Sequence, residues 1–174
     1  MSSQPTVRRV ITAQRPSGES VFAIDEEVEA VVHPTSGMSY WPVWGADEVT
    51  QLPADGTPAY ERTFFPATPA GYRVHQIEFP AKGGEHPPAQ GTWPAYGLDA
   101  TAMAQPDGSG MHWTNTVDVV VILAGEIGLA QDDGSEVVLR QGDVLVQNGA
   151  NHAWRPRAEP CRVCFVNLGA ERSS

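Results

Sequence analysis

Two histidines and one aspartate stand at the edges of strand-like runs, and together they offer a ligand set for a divalent metal. His112 lies in Met111-His112-Trp113-Thr114-Asn115-Thr116, and Asp118 opens the run Val119-Val120-Val121-Ile122-Leu123. His152 follows Gly142-Asp143-Val144-Leu145-Val146-Gln147-Asn148-Gly149. Two imidazoles and a carboxylate on one side of an ion leave positions open for water, dioxygen or substrate, a set that suits Fe and also Mn, Ni, Co or Zn. The chain imposes a condition on this. A continuous strand would hold His112 and Asp118 about 20 Å apart, whereas ligands approach such a metal to about 2.0–2.2 Å. The chain must therefore reverse between them, and Thr114-Asn115-Thr116 supplies a polar turn. Asp118 shares a strand face with Val120 and Ile122, where a carboxylate is costly to bury unless it is paired or coordinated.

The elements that must position these residues read as short strands. Runs rich in Val, Ile, Phe, Tyr or Trp cover Val7–Thr12, Ser20–Ile24, Glu29–His33, Ser39–Trp44, Tyr72–Phe79, Val117–Ala130, Glu136–Leu139, Asp143–Gln147 and Cys161–Leu168. His152-Ala153-Trp154 is a further strand-like start. Asp132-Asp133-Gly134 predicts a hairpin between Ile127–Ala130 and Glu136–Leu139, Gln141-Gly142-Asp143 a second turn, and Asn148-Gly149 a two-residue turn. No segment sustains a helical period, although Ala46–Leu52 has room for a helical turn. Closely spaced strands without intervening helices predict an all-β antiparallel sandwich or barrel. The Pro- and Gly-rich stretch Pro80–Gly110 reads as a long excursion over the barrel mouth, of the kind that serves as a lid or binding loop.

Composition narrows the function classes. The chain has 174 residues, 15 Pro and 17 Gly, with 18% charged and 41% hydrophobic residues, which is enough for one domain with a real core. A formal net charge of −10 repels phosphate backbones and anionic lipid, so nucleic-acid and membrane-surface binding are not expected. No apolar run is long enough to span a bilayer, and Met1-Ser2-Ser3-Gln4-Pro5 lacks the order of a signal peptide, so a cytoplasmic protein is expected. Cys161 and Cys164 sit three apart on a strand and therefore face opposite sides, which predicts two reduced thiols rather than a disulfide or a shared metal.

The spacing of these residues resembles the cupins. Cupin motif one runs G-x5-H-x-H-x(3,4)-E-x6-G. His112 matches its first histidine, Thr114 falls at the second, Asp118 at the glutamate and Gly125 at the closing glycine. Motif two runs G-x5-P-x-G-x2-H-x3-N. Gly142 matches its start, Gly149 its internal glycine and His152 its histidine, with one residue fewer between Gly142 and His152 and Pro156 at the final position. The matches span Gly110–Pro156. The resemblance implies a cupin-type antiparallel β-barrel, or jelly roll, formed by one domain over residues 1–174, with the strands of Val7–Trp44 extending its sheets. It also implies a homodimer and a divalent metal ion (Fe, Mn, Ni, Co or Zn) held by His112, Asp118 and His152. Thr114 stands where the family carries a further histidine, so three candidate ligands remain where four are usual.

Other residues complete the reading. His75 alternates with Ile77 and Phe79 on an apolar, inward face, and is the candidate for an extra ligand or a catalytic base beside Thr114. A hydrogen-bonded core histidine is the simpler role for it. His86 falls on the long excursion and His33 at a strand end before Pro34. Trp113 and Trp154 flank the proposed ligands, while Trp41, Trp44 and Trp93 lie in strand or excursion segments. Some of these can line an apolar pocket for an aromatic compound, or else serve as core and dimer contacts. The leading expectation is a metal-dependent enzyme acting on a small oxygenated metabolite, aromatic or carboxylic, as an oxygenase or a non-redox lyase. A metal-free isomerase or cyclase with His112 as base and Asp118 as its partner is the alternative, and a small-molecule binding module without turnover is a third.

Overall fold

A computed structural model describes residues 6–33, 36–58, 60, 63–83 and 109–173. Eleven strands follow one another: β1 (Val7–Gln14), β2 (Ser20–Val28), β3 (Val31–Val32), β4 (Ser39–Ala46), β5 (Tyr72–Phe79), β6 (Thr116–Ala124), β7 (Glu126–Gln131), β8 (Glu136–Arg140), β9 (Val144–Asn148), β10 (His152–Pro156) and β11 (Cys161–Gly169). Every pairing between them is antiparallel. They form a six-stranded sheet in the order β3-β4-β5-β11-β6-β9, a three-stranded sheet in the order β10-β7-β8, and a two-stranded ribbon of β1 and β2. The all-β antiparallel class read from the sequence is the class observed. The two larger sheets enclose one core, in which Ile77, Phe79, Val120, Ile122, Val163 and Phe165 of the large sheet meet Ile127 of the small one.

Strict alternation builds that core. On β5, β6 and β11 buried residues alternate with half-buried or exposed ones, because successive side chains of a strand point to opposite faces. The turns at Gly134 and Gly142 form, while Asn148-Gly149 is a bend between β9 and β10, which lie in different sheets, and not a two-residue hairpin turn. Gly134 (φ 80°), Gly142 (φ 90°) and Gly149 (φ 62°) each take the left-handed backbone that glycine allows.

The single run Val117–Ala130 is divided in two. Gly125, at φ 75°, turns the chain from β6 in the large sheet to β7 in the small one. A Cβ at this position would lie 2.3 Å from the carbonyl oxygen of Pro160. Gly125→Ala therefore combines a left-handed alanine with a backbone clash at the corner joining the sheets, and is expected to cost roughly 3 kcal/mol or more. Urea unfolding followed by circular dichroism checks this, and an unchanged midpoint would show that the corner does not depend on glycine.

Three further expectations are corrected. The first two strands do not extend the large sheet. They pair only with each other, and Arg9 Nη1 donating to Val43 O at 3.0 Å ties the ribbon to β4. No helical turn forms over Ala46–Leu52, because Ala46 ends β4 opposite Tyr72 and the next residue, Asp47, accepts hydrogen bonds from Arg73 Nη2 and the Ala67 amide. The strand expected over Glu29–His33 shrinks to Val31–Val32, where β3 pairs with the start of β4. Cys161 and Cys164 are free thiols, the first buried and the second half-buried. Most of the expected excursion, with His86 and Trp93, lies outside the described residues.

Candidate functional site

β6 and β11 pair with Asn167 opposite Asp118, β9 places Gln147 on the other side of Asp118, and β5 places Arg73 beyond Asn167. Cross-strand partners share a face, so one row of the large sheet carries four polar residues. All four are buried: Arg73 at 1%, Asn167 at 1%, Asp118 at 4% and Gln147 at 4% exposure. Arg73 is spent locally, donating to Ala46 O, Thr63 O, Thr63 Oγ1 and Asp47. Gln147 donates to Ala150 O. Asp118 and Asn167 reach a cavity of about 320 Å³ that also meets His112, Thr114 and His152.

The two histidines are brought together by backbone pairing. The His112 amide donates to His152 O at 2.9 Å and the His152 amide donates to His112 O at 2.8 Å, an isolated antiparallel bridge. It sets the two rings side by side, 4.4 Å between centroids. Each ring is oriented by a carbonyl: His112 Nδ1 lies 3.0 Å from Gly110 O, and His152 Nδ1 lies 2.8 Å from Ala150 O. A carbonyl only accepts, so both Nδ1 atoms carry a hydrogen. Burial first, and the neighbouring His112 charge, lower the His152 pKa to about 4, while the Ala150 carbonyl pulls the other way. At neutral pH His152 is an uncharged base.

Asp118 has a different environment. Burial raises its pKa, opposed by hydrogen bonding from Asn167 and Thr116 and by the charge of His112. Asn167 Nδ2 donates to Asp118 Oδ1 at 2.6 Å. Thr116 Oγ1 donates to Thr114 Oγ1 at 2.8 Å, and Thr114, Asp118 and Asn167 give the cavity its polar side together with the histidines. The remaining wall is apolar and aromatic, with Phe64, Phe79, Trp113, Trp154 and Phe165. The cavity thus has a polar pole and a hydrophobic body, the form of a site for a small organic molecule.

The metal reading meets a different arrangement. Among the described residues, no three His, Cys, Asp or Glu side chains group around a point that can hold an ion. His112 and His152 stand together, but Asp118 turns Oδ1 to the Asn167 amide instead of to the histidines. The residues present therefore do not fit a three-ligand centre of His112, Asp118 and His152. Nor does Asp118 orient His112, whose Nδ1 is directed to Gly110 O.

His75 faces inward, as its alternation with Ile77 and Phe79 predicts, but it does not line the cavity. It lies fully buried between Tyr40, Phe64 and Phe165, with ring centroids 5.1, 4.6 and 5.5 Å away. Neither ring nitrogen has a hydrogen-bond partner among the described residues. This corrects its assignment as an extra ligand or a catalytic base, since aromatic rings stand between it and the cavity. Trp41 packs in the core under Arg162, and Trp44 donates to Tyr72 Oη. His33 accepts from the Ser36 amide, away from the site.

Two functional positions carry no signal in the sequence. Asn167 becomes meaningful only when β11 aligns with β6. Arg172, near the end of the chain, donates through Nη2 to Thr114 O at 3.0 Å and Gly149 O at 2.6 Å and through Nε to Asn115 Oδ1, with its guanidinium 4.2 Å over the Trp113 ring. It therefore clips together the two segments that carry the histidines. A Cβ at Gly149 would come within 2.9 Å of Thr114 O, so glycine permits that close approach. Arg172→Gln is expected to lose roughly 1–3 kcal/mol of stability in chemical denaturation, with Arg172→Lys recovering only part of it, because an ammonium lacks the planar fork. Equal stability of Arg172→Gln and the native chain would show the clip to be dispensable.

No protein-family model matches the chain. Curated relatives match over part of it. The phomopsin biosynthesis cluster protein C' of Diaporthe leptostromiformis is 46% identical over 63 residues, 35% of this chain and 33% of that protein. The oryzines biosynthesis cluster protein J of Aspergillus oryzae is 37% identical over 62 residues, 34% and 35%. The cupin-domain-containing oxidoreductase virC of Hypocrea virens is 39% identical over 46 residues, 26% and 24%. The match to the first two spans about a third of their length. Among solved structures, the polyketide cyclase RemF of Streptomyces resistomycificus is 16% identical with a TM-score of 0.45, over 84% of this chain and 77% of that one. An RmlC-like cupin with a double-stranded β-helix fold from Methanocaldococcus jannaschii is 13% identical with a TM-score of 0.38, over 56% and 70%. Neither of these likenesses bears on activity.

Proposed function

We propose that this chain is a cupin-type enzyme that moves protons on a small oxygenated metabolite with an aromatic or cyclic body, by isomerase, cyclase or lyase chemistry, without a metal. One observation carries the reading: a histidine pair whose Nδ1 atoms are both directed to backbone carbonyls shares one pole of an apolar cavity with a buried carboxyl. His152 is the general base, with His112 beside it. Asp118, whose carboxyl burial holds toward the protonated form, hydrogen-bonds or protonates the substrate oxygen while His152 takes the proton from carbon. Thr114 hydrogen-bonds the same oxygen. The aromatic wall binds the body of the substrate and excludes water. The motif resemblance and relatives described as biosynthesis cluster proteins support a biosynthetic small molecule as the substrate.

The test uses 2-tetralone, a bicyclic ketone with acidic α-hydrogens. Its deuterium exchange in D2O, followed by NMR, is expected to be faster with the protein than with buffer and unchanged after treatment with a chelator. No acceleration, or loss on chelation with recovery on adding a divalent metal, overturns the metal-free reading. The second outcome would instead favour the metal-dependent oxygenase or lyase, for which His112 and His152 are the partial ligand set.

A further inference from the structure

Asn167 presents a buried acceptor that no described residue uses. It lies on β11, 1% exposed, opposite Asp118, and its side chain reaches the cavity wall next to Phe165. Its Nδ2 donates to Asp118 Oδ1 at 2.6 Å. With Nδ2 on Asp118, the amide oxygen Oδ1 points elsewhere. Oδ1 is shielded from solvent and has no hydrogen-bond partner among the described residues. Native proteins rarely leave such a group unsatisfied, and one that is unsatisfied beside a cavity calls for a partner from the ligand. Around it the cavity offers one hydroxyl, on Thr114, which accepts from Thr116 and makes no hydrogen bond to Oδ1. Asp118 is engaged by Asn167 itself, and both histidines have directed their N–H groups to backbone carbonyls.

We propose that Asn167 is a specificity-determining residue whose Oδ1 accepts a hydrogen bond from a hydroxyl of the substrate, so that the site selects an enol or phenol over its ether. The inference rests on the cavity being the ligand site, and deepens that reading by naming the substrate group that is recognised. The asymmetry of the site gives the selection its strength. Asn167 cannot turn to offer a donor without abandoning Asp118, and an ether oxygen placed against Oδ1 leaves two acceptors facing each other in a dry wall. A site built to bind a hydroxyl rejects an analogue that lacks it far more strongly than an apolar pocket rejects a change of one methylene.

A matched pair of probes tests this. 2-Naphthol carries the hydroxyl and mimics the enol of 2-tetralone, and 2-methoxynaphthalene has the same rings without the donor. Isothermal titration is expected to show 2-naphthol bound at least tenfold more tightly by the native protein, and within about twofold of the ether by Asn167→Leu. Because Asn167→Leu also removes the donor to Asp118, a second measurement uses the native chain. The Asn167 side-chain amide resonances are expected to shift on adding 2-naphthol and to shift less on adding the ether. Equal affinities in the native protein, or a preference kept by Asn167→Leu and lost in His152→Ala, overturn the role of Asn167 and leave the cavity reading standing. If neither probe binds at millimolar concentration, or binding is indifferent to Phe165→Ala, the cavity reading fails and the inference with it.

Discussion

Acidification from pH 7 to pH 4 is expected to destabilise the native protein by several kcal/mol, and His75→Leu is expected to lose less over that range. His75 is sealed between Tyr40, Phe64 and Phe165 with neither nitrogen partnered among the described residues. Burial, and secondarily the charge of Arg73, push its pKa to about 3, against 6.5 in the unfolded chain. The folded value is the lower one. Its contribution is therefore fully present above pH 6.5 and is lost as the pH falls toward 3, because in that window the unfolded chain binds a proton that the folded one refuses. The slope is about 1.4 kcal/mol per pH unit for one such group. By pH 4 the loss is roughly 3–4 kcal/mol and over the whole window about 5 kcal/mol, a large part of a domain stability of about 5–15 kcal/mol. His152, with its pKa lowered to about 4, adds a loss of the same sign. Leucine fills the His75 site without a titrating group, and at pH 7 it also removes unsatisfied buried polar atoms, a gain of roughly 1–3 kcal/mol. Urea midpoints at pH 7, 5.5 and 4 for both proteins decide the matter. Parallel lines for the two would show that His75 is not held neutral in the fold.

Removing the histidine pair abolishes proton transfer while leaving the fold intact. His152→Ala is expected to slow exchange of 2-tetralone by about 10²–10⁴, the usual contribution of a positioned base. His112→Ala is expected to slow it less, and the double variant hardly more than His152→Ala, since the two rings act as one unit. The bridge between them is made by backbone amides and carbonyls, so alanine retains it. The pH profile carries a second signature. His152 is neutral above about pH 4, so the rate is expected to stay flat from pH 8 to 5 and to fall below about 4. The measurement is best made in the His75→Leu background, which is expected to lose less stability there. A rate falling already near pH 6.5 would mean that an exposed histidine is the base. Full activity in the double variant would remove both residues from the mechanism.

The strands of the large sheet were legible because their alternation is a local property. The run Tyr72–Phe79 is read to the residue, and the turns at Gly134 and Gly142 follow from residue types that tolerate left-handed backbone. The division at Gly125 was less legible, because continuous apolar sequence does not reveal that a chain changes sheets. The separate ribbon of β1 and β2 escaped for the same reason. Its pairing is the choice of a partner strand, and composition leaves that choice open.

At the site, the sequence by itself determined which side chains face inward: Asp118 by its alternation with Val120 and Ile122, and His75 by its alternation with Ile77 and Phe79. It also brought His112 and His152 under suspicion through their spacing from glycine turns. Only the tertiary structure decided what those side chains meet. Cross-strand register set Asn167 against Asp118 and so turned the carboxyl away from the histidines, while aromatic packing closed His75 off from the cavity. Arg172, close to the end of the chain, joined two segments far from it in sequence. The physical reason is the range of the interactions. Facing follows from the two-residue period of a strand, whereas ligation, orientation and pKa depend on atoms a few ångströms apart whose residues lie dozens of positions apart along the chain.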